Sequence, residues 1–133
     1  GGSAVNNEIE KFAVKNKERY LVVKNLGQLK YLSAMSHLDF VIGNSSSGII
    51  EAASFQKPVI NIGNRQLGRL QSGNVIHSTI EKLEKSINKV TSEIFIEHCN
   101  NVVNIYGDGN ASHLIVTSLE HQNLSPVKKF NDL

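Results

Sequence analysis

Val41-Ile42-Gly43-Asn44-Ser45-Ser46-Ser47-Gly48-Ile49-Ile50-Glu51 carries an apolar run into a small polar turn and then into a helical pattern. The turn offers three hydroxyls beside the unpaired backbone N–H groups of a helix start, where the helix dipole is positive. That arrangement suits a phosphate group. The helix, read over 48–55, carries a carboxylate in its first turn. Glu51 follows Ser47 by four residues, on the same face and about 6 Å further along. A double acceptor one step beyond a phosphate site lies where a nucleotide ribose would sit, so the stretch points to a nucleoside diphosphate. An ordinary N-cap needs one Ser or Asn. Here four stand in a row, followed by Gly48, which permits close backbone approach by a ligand.

On either side of this stretch, strand-like and helix-like segments alternate. Residues 6–16 read as a first helix with apolar Ile9, Phe12 and Ala13, and Tyr20-Leu21-Val22-Val23 as a first strand. Leu29, Leu32 and Met35 predict a helix over 28–36, and Phe40-Val41-Ile42 is the strand that feeds the Ser-rich turn. Pro58 introduces strand Val59-Ile60-Asn61-Ile62, and Asn74-Val75-Ile76 is a short fourth strand. Ser78-x-x-Glu81 has the capping-box pattern and opens a helix with Ile80, Leu83, Ile87 and Val90 on one face. Further helices are expected over 93–103 and over 111–122, the latter capped by Asp108 or Asn110. This alternation predicts an α/β fold, a Rossmann-like three-layer parallel sheet with helices on both faces. Ligands of such sheets bind at the carboxyl ends of the strands, which the polar clusters 44–51 and 63–69 follow directly.

Composition narrows the function classes. The chain has 133 residues, enough for one domain with a real core. A net charge of +2, with lysines scattered among acidic neighbours, gives no basic stripe and excludes nucleic acid as the expected partner. The single cysteine, Cys99, rules out an internal disulfide and fits a reducing cytoplasm; it reads as a small buried hydrophobe. The apolar runs are too short to span a membrane, and there is no secretory leader pattern. Gly1-Gly2-Ser3 reads as a cloning remnant, 4–124 as the folded domain, and 125–133, with Pro126 and Lys128-Lys129, as a frayed tail.

A second constellation is Gly63-Asn64-Arg65-Gln66-Leu67-Gly68-Arg69, which holds two of the three arginines. Arginine binds phosphate bidentately and keeps its charge at any relevant pH. Beside an anion-binding turn on the neighbouring strand, Arg65 and Arg69 are the candidate phosphate partners, with Asn44 of the turn near them. Tyr106-Gly107-Asp108-Gly109-Asn110-Ala111-Ser112 is explained by a turn and a helix cap. His37, His77, His98, His113 and His121 lack metal-ligand spacing, so neither a metal nor a cofactor is expected. His77 follows a strand and could approach a ligand there. Neither a Walker loop nor a GxGxxG fingerprint is present. Gly43 to Gly48 superficially fits a hydrolase nucleophile elbow, with Asp108 and His113 in the right chain order. Ser47, however, occupies the position where the elbow requires glycine.

Three blocks carry a specific likeness: Asn44-Ser45-Ser46-Ser47-Gly48-Ile49-Ile50-Glu51-Ala52, Pro58-Val59-Ile60-Asn61-Ile62-Gly63, and Arg65-Gln66-x-Gly68-Arg69. With Tyr31-Leu32-Ser33-Ala34-Met35 upstream and the 106–112 turn downstream, the chain resembles the hydrolysing UDP-N-acetylglucosamine 2-epimerases over roughly residues 20–120. The non-hydrolysing relatives carry an Asp-Ser-Gly-Gly turn and a Thr-Glu-Arg-Pro-Glu-type loop, and neither is found here. The resemblance implies the C-terminal half of a GT-B-type enzyme, beginning after that domain's opening strand–helix unit. It implies UDP contacts from Ser45, Ser46, Ser47 and Gly48, ribose contacts from Glu51, and a diphosphate contact from Arg65, with Gln66 structural.

The reaction implied eliminates UDP across C1–C2 of UDP-N-acetylglucosamine. Water then adds to the glycal with inversion at C2, giving N-acetylmannosamine for sialic-acid-type or surface-polysaccharide synthesis. This domain would stabilise the departing diphosphate. The acids and bases would come from an N-terminal domain outside this chain. No catalytic residue is therefore expected here, the chain alone is expected to be inactive, and the parent is expected to be a homo-oligomer. A sibling acting on a UDP-diacetamido-bacillosamine shares the same UDP site, and a non-catalytic nucleotide-binding module is the third reading.

Overall fold

The computed structural model describes residues 2–15 and 17–122. The tail expected at 125–133 lies outside them. They divide into two compact units, the boundary falling between His37 and Leu38. The first unit holds helices α1 (Gly2–Lys15) and α2 (Gly27–His37). Gly2 and Ser3 belong to α1, so the expected remnant at 1–3 continues into regular structure. Within this unit Phe12 packs edge-on against Tyr20, ring centroids 4.8 Å apart.

The first expected strand does not form. Tyr20, Leu21, Val22 and Val23 are exposed and outside any strand, with Leu21 at 89% exposure. An apolar run becomes a strand only when a partner pairs its backbone groups, and among the described residues these four have no such partner.

The second unit is built on a parallel sheet of β1 (Val41–Gly43), β2 (Val59–Ile62) and β3 (Val75–Ser78), in that spatial order. β2, paired on both sides, is near-continuously apolar as a buried parallel strand should be; Val59 is 2% exposed and Ile60 0%. The register aligns Val41, Val59 and Val75 on one face and Ile42, Ile60 and Ile76 on the other.

Helix α3 (Ser46–Ile50) lies on the valine face, since a Cβ on Gly48 would stand 3.2 Å from Val59 Cγ1 and 3.8 Å from Val41 Cγ1. Helix α4 (Leu83–Val90) lies on the other face, where Ser86 Oγ donates to Ser78 Oγ at 2.8 Å. Helices therefore cover both faces of the sheet. Helices α5 (Glu93–Asn100) and α6 (Ala111–Glu120) complete the described chain. Ser92 caps α5, its Oγ accepting from the Phe95 N–H. Cys99 is fully buried, and burial pushes its thiol pKa up.

Two local readings change. Ser78 does not cap a helix: as the last residue of β3 it pairs with Ile62 in register, which turns its hydroxyl into the contact with Ser86. The following turn is a 3₁₀ segment, Ile80–Lys82, ahead of α4, and a bond from the Thr79 side chain holds the Glu81 carboxyl below its usual range. Asn110 stands at the N-cap of α6, one of the two expected positions, but makes no side-chain bond to the helix. Instead the Asp108 carboxylate accepts from the Asn110 N–H at 3.1 Å and from its side-chain amide at 2.9 Å.

Candidate functional site

The carboxyl ends of the three strands form one edge, and the Ser-rich turn and the arginine loop both leave from it. Ser45 is the N-cap of α3, in extended conformation, and its Oγ accepts from the Ser47 N–H at 3.4 Å. That bond is longer than the usual range. The helix begins two residues earlier than the sequence pattern suggests, placing Ser46 and Ser47 inside its first turn. It is also shorter. α3 ends at Ile50, and a 3₁₀ segment, Ala52–Phe55, follows.

Glu51 consequently stands at the C-cap of α3 rather than in its first turn. Its relation to Ser47 holds as expected from the four-residue spacing: Ser47 Oγ donates to Glu51 Oε2. Gly48 is buried, and its missing Cβ serves the contact with Val59 and Val41. Close packing of helix on strand accounts for this glycine without any ligand.

The arginine loop starts at Gly63, whose φ of 75° is a left-handed value that favours glycine. Arg65 and Arg69 are exposed, and among the described residues neither guanidinium forms an ion pair. Gln66, between them, is buried and donates from Nε2 to the Asn44 carbonyl at 2.8 Å. This bond ties the arginine loop to the residue that precedes the Ser-rich turn. The structure thus brings 44–47 and 63–69 together at one edge.

His77 lies within β3, and both of its ring nitrogens are engaged. Asn61, 2% exposed, donates one Nδ2 hydrogen to the Gly63 carbonyl at 3.2 Å, which fixes its amide orientation. Its other hydrogen goes to His77 Nδ1 at 3.0 Å, and His77 Nε2 faces Gln71 Oε1 at 2.9 Å. With Nδ1 accepting from Asn61, the ring donates from Nε2 to Gln71 Oε1. It supports the base of the arginine loop and is not a free base.

Asn104, which the sequence reading did not single out, joins three segments. Its Nδ2 reaches the Ile50 carbonyl at 2.8 Å and Ser54 Oγ at 2.7 Å, and its Oδ1 accepts from the Tyr106 N–H at 3.0 Å. The Tyr106 hydroxyl donates to the Leu70 carbonyl at 2.6 Å, and Ser72 Oγ accepts from the Ile105 N–H at 3.2 Å. The 104–106 segment therefore clamps the end of α3 and the exit of the arginine loop. Asn61 could have been suspected as a polar residue inside an apolar strand; Asn104 carries no local signal.

A parallel α/β sheet with helices on both faces, bearing a hydroxyl-rich turn and an arginine loop at its carboxyl edge, defines a Rossmann-like domain. The profile of one family, UDP-N-acetylglucosamine 2-epimerase, matches residues 1–120. The chain belongs to this family. It is 40% identical over 135 residues to the GDP/UDP-N,N'-diacetylbacillosamine 2-epimerase (hydrolyzing) of Campylobacter jejuni, covering 99% of this chain and 35% of that protein. It is 33% identical over 114 residues to the UDP-N,N'-diacetylbacillosamine 2-epimerase (hydrolyzing) of Legionella pneumophila, covering 84% of this chain and 29% of that protein. It is 34% identical over 113 residues to polysialic acid biosynthesis protein P7 of Escherichia coli, covering 84% of this chain and 28% of that protein. The chain thus spans about a third of the length of these curated relatives. Among the described residues no helix is long and apolar enough to cross a membrane.

Proposed function

We propose that this chain is the UDP-binding part of a hydrolysing nucleotide-sugar 2-epimerase. The observation that supports the reading is the Gln66–Asn44 bond, which ties the loop carrying Arg65 and Arg69, neither in an ion pair among the described residues, to the residue before the hydroxyl-rich turn. In this reading Ser45, Ser46, Ser47 and the backbone leading to Gly48 hold the diphosphate, and Arg65 pairs with it. Glu51 takes the ribose hydroxyls, and Asn44 and Arg69 flank the ligand. Negative charge grows on the diphosphate as the C1–O bond breaks, so donors placed here lower the barrier to its departure. The proton from C2 and the water that adds to the resulting glycal are handled by groups outside this chain, and the chain alone gives no turnover.

The sugar is a 2-acetamido hexose carried on UDP. UDP-N-acetylglucosamine is the first candidate, yielding N-acetylmannosamine. UDP-N,N'-diacetylbacillosamine is the second, favoured by the 40% identity to a protein named for that sugar. Calorimetric titration with UDP tests the site. Arg65→Ala removes a charge-assisted bond that contributes about 1.5–3 kcal/mol, so affinity should fall by roughly tenfold to a hundredfold. Glu51→Ala should weaken UDP more than UDP's ribose-free analogue, pyrophosphate. Wild-type affinity in both variants refutes the site.

A further inference from the structure

Gln66 is the one buried residue of an otherwise exposed loop running from Gly63 to Leu70, at 4% exposure. Its Nε2 donates to the Asn44 carbonyl at 2.8 Å, while its Oε1 is buried with no hydrogen-bond partner among the described residues. A buried acceptor left unpaired is unfavourable, and a loop with only solvation to satisfy would turn this amide outward. The bond from Nε2 has a specific consequence. The Asn44–Ser45 peptide is trans, as are all the described peptide bonds, so its C=O and N–H point to opposite sides of the chain. By holding the Asn44 carbonyl, Gln66 turns the Ser45 N–H away from the arginine loop's anchor. The same bond ties the loop that carries Arg65, its immediate neighbour, to the residue before the Ser-rich turn.

We infer that Gln66 is a positioning residue, setting the orientation of the Ser45 N–H and the reach of Arg65 toward a nucleoside diphosphate through its bond to the Asn44 carbonyl. The inference rests on the diphosphate reading given above. It makes Gln66 the element that turns two separate loops into one anion site, although it does not itself touch the ligand.

UDP titration of the full chain tests it in a double-mutant cycle of Gln66→Met and Arg65→Ala. Gln66→Met keeps the length and volume of the side chain and removes the donor. UDP affinity should fall roughly tenfold, the worth of one well-placed hydrogen bond, with the far-ultraviolet circular dichroism unchanged. If Gln66 acts by positioning Arg65, the Met substitution costs clearly less in the Arg65→Ala background. An equal factor in both backgrounds overturns the inference. So does wild-type affinity in Gln66→Met while Arg65→Ala loses binding, an outcome that leaves the UDP reading standing. Wild-type affinity in Arg65→Ala overturns the inference, and wild-type affinity in Glu51→Ala as well overturns the UDP reading with it. Should Gln66→Met not fold, Gln66→Glu provides the same comparison within one folded protein. Its carboxylate cannot donate to Asn44, but its protonated form can. Its affinity relative to wild type should therefore be low at about pH 8 and recover as the pH falls toward the carboxyl range; a deficit independent of pH overturns the inference.

Discussion

Asn104→Ala should destabilise the second unit by about 2–3 kcal/mol, most of it through a carbonyl that the substitution strands. Asn104 makes three bonds, to the Ile50 carbonyl, to Ser54 Oγ and from the Tyr106 N–H. Ser54 and Tyr106 are exposed and can turn to water, so their loss costs about 0.5 kcal/mol each. The Ile50 carbonyl is the last of α3 and has no partner further along the helix. Half-buried and orphaned, it costs about 1–2 kcal/mol. Urea unfolding followed by circular dichroism reads the sum: with a slope of about 2 kcal/mol per molar, the midpoint drops by roughly 1 M and the slope is unchanged.

Asn104→Asp isolates the donor. It keeps the acceptor for the Tyr106 N–H but turns a carboxylate oxygen on the Ile50 carbonyl, so it should cost at least as much as the alanine at about pH 7. Protonation restores a donor, which raises the folded pKa of this carboxyl above its unfolded value of about 3.9. The deficit is therefore full above the folded pKa and shrinks as the pH falls through it. A midpoint shift below about 0.25 M for the alanine variant, or a pH-independent deficit for the aspartate, would refute the clamp.

Gly48→Val places branched carbons where a single Cβ already meets Val59 Cγ1 at 3.2 Å. It should destabilise by about 1–3 kcal/mol, read as a lower urea midpoint, and a neutral result would mean α3 can lift from the valine face freely. The Asp108 carboxyl is held below its usual value of 3.8, first by the Asn110 N–H and then by the Asn110 side-chain amide. Its folded pKa is thus lower than its unfolded one, and the stability it contributes is present above that unfolded value and lost as the pH falls through the folded one. Asp108→Ala should unfold earlier than wild type at neutral pH, and the two midpoints should converge in acid; a gap that persists there would contradict the bond.

The apolar runs of β1 and β2 were legible because both strands pair in the sheet, and α2 was legible from its spacing alone, since of Leu29, Leu32 and Met35 only Met35 is buried. The Ser-rich turn and the arginine loop were legible for a related reason, since residue types rich in donors stood directly after those strands. What was not legible depended on distant partners. Gln66 could be named as structural, but its acceptor is 22 residues away, and the partner of Asn104 is 54 residues away. Tyr20 to Val23 satisfied every local requirement of a strand and lacked only a partner among the described residues. Ser78 matched a capping box, but its place at the end of β3 decided the direction of its hydroxyl.

The same amides explain why the site and the fold respond differently to substitution. Strands of three or four residues supply few ladder bonds, so the loops at their carboxyl ends need other anchors. Asn61 and Gln66 provide them, each through a side-chain amide bonded to a backbone carbonyl, and Asn74 and Asn104 make bonds of the same kind ahead of β2 and at the end of α3. The charged groups, Arg65 and Arg69, ride on this frame and remain exposed with no ion-pair partner among the described residues. An exposed, unpaired guanidinium contributes little to stability, so replacing it should change ligand affinity alone. Replacing an amide beneath it removes a part-buried bond and moves the loop as well, so affinity and stability should fall together. That difference separates the residues that would meet the diphosphate from those that hold them in place.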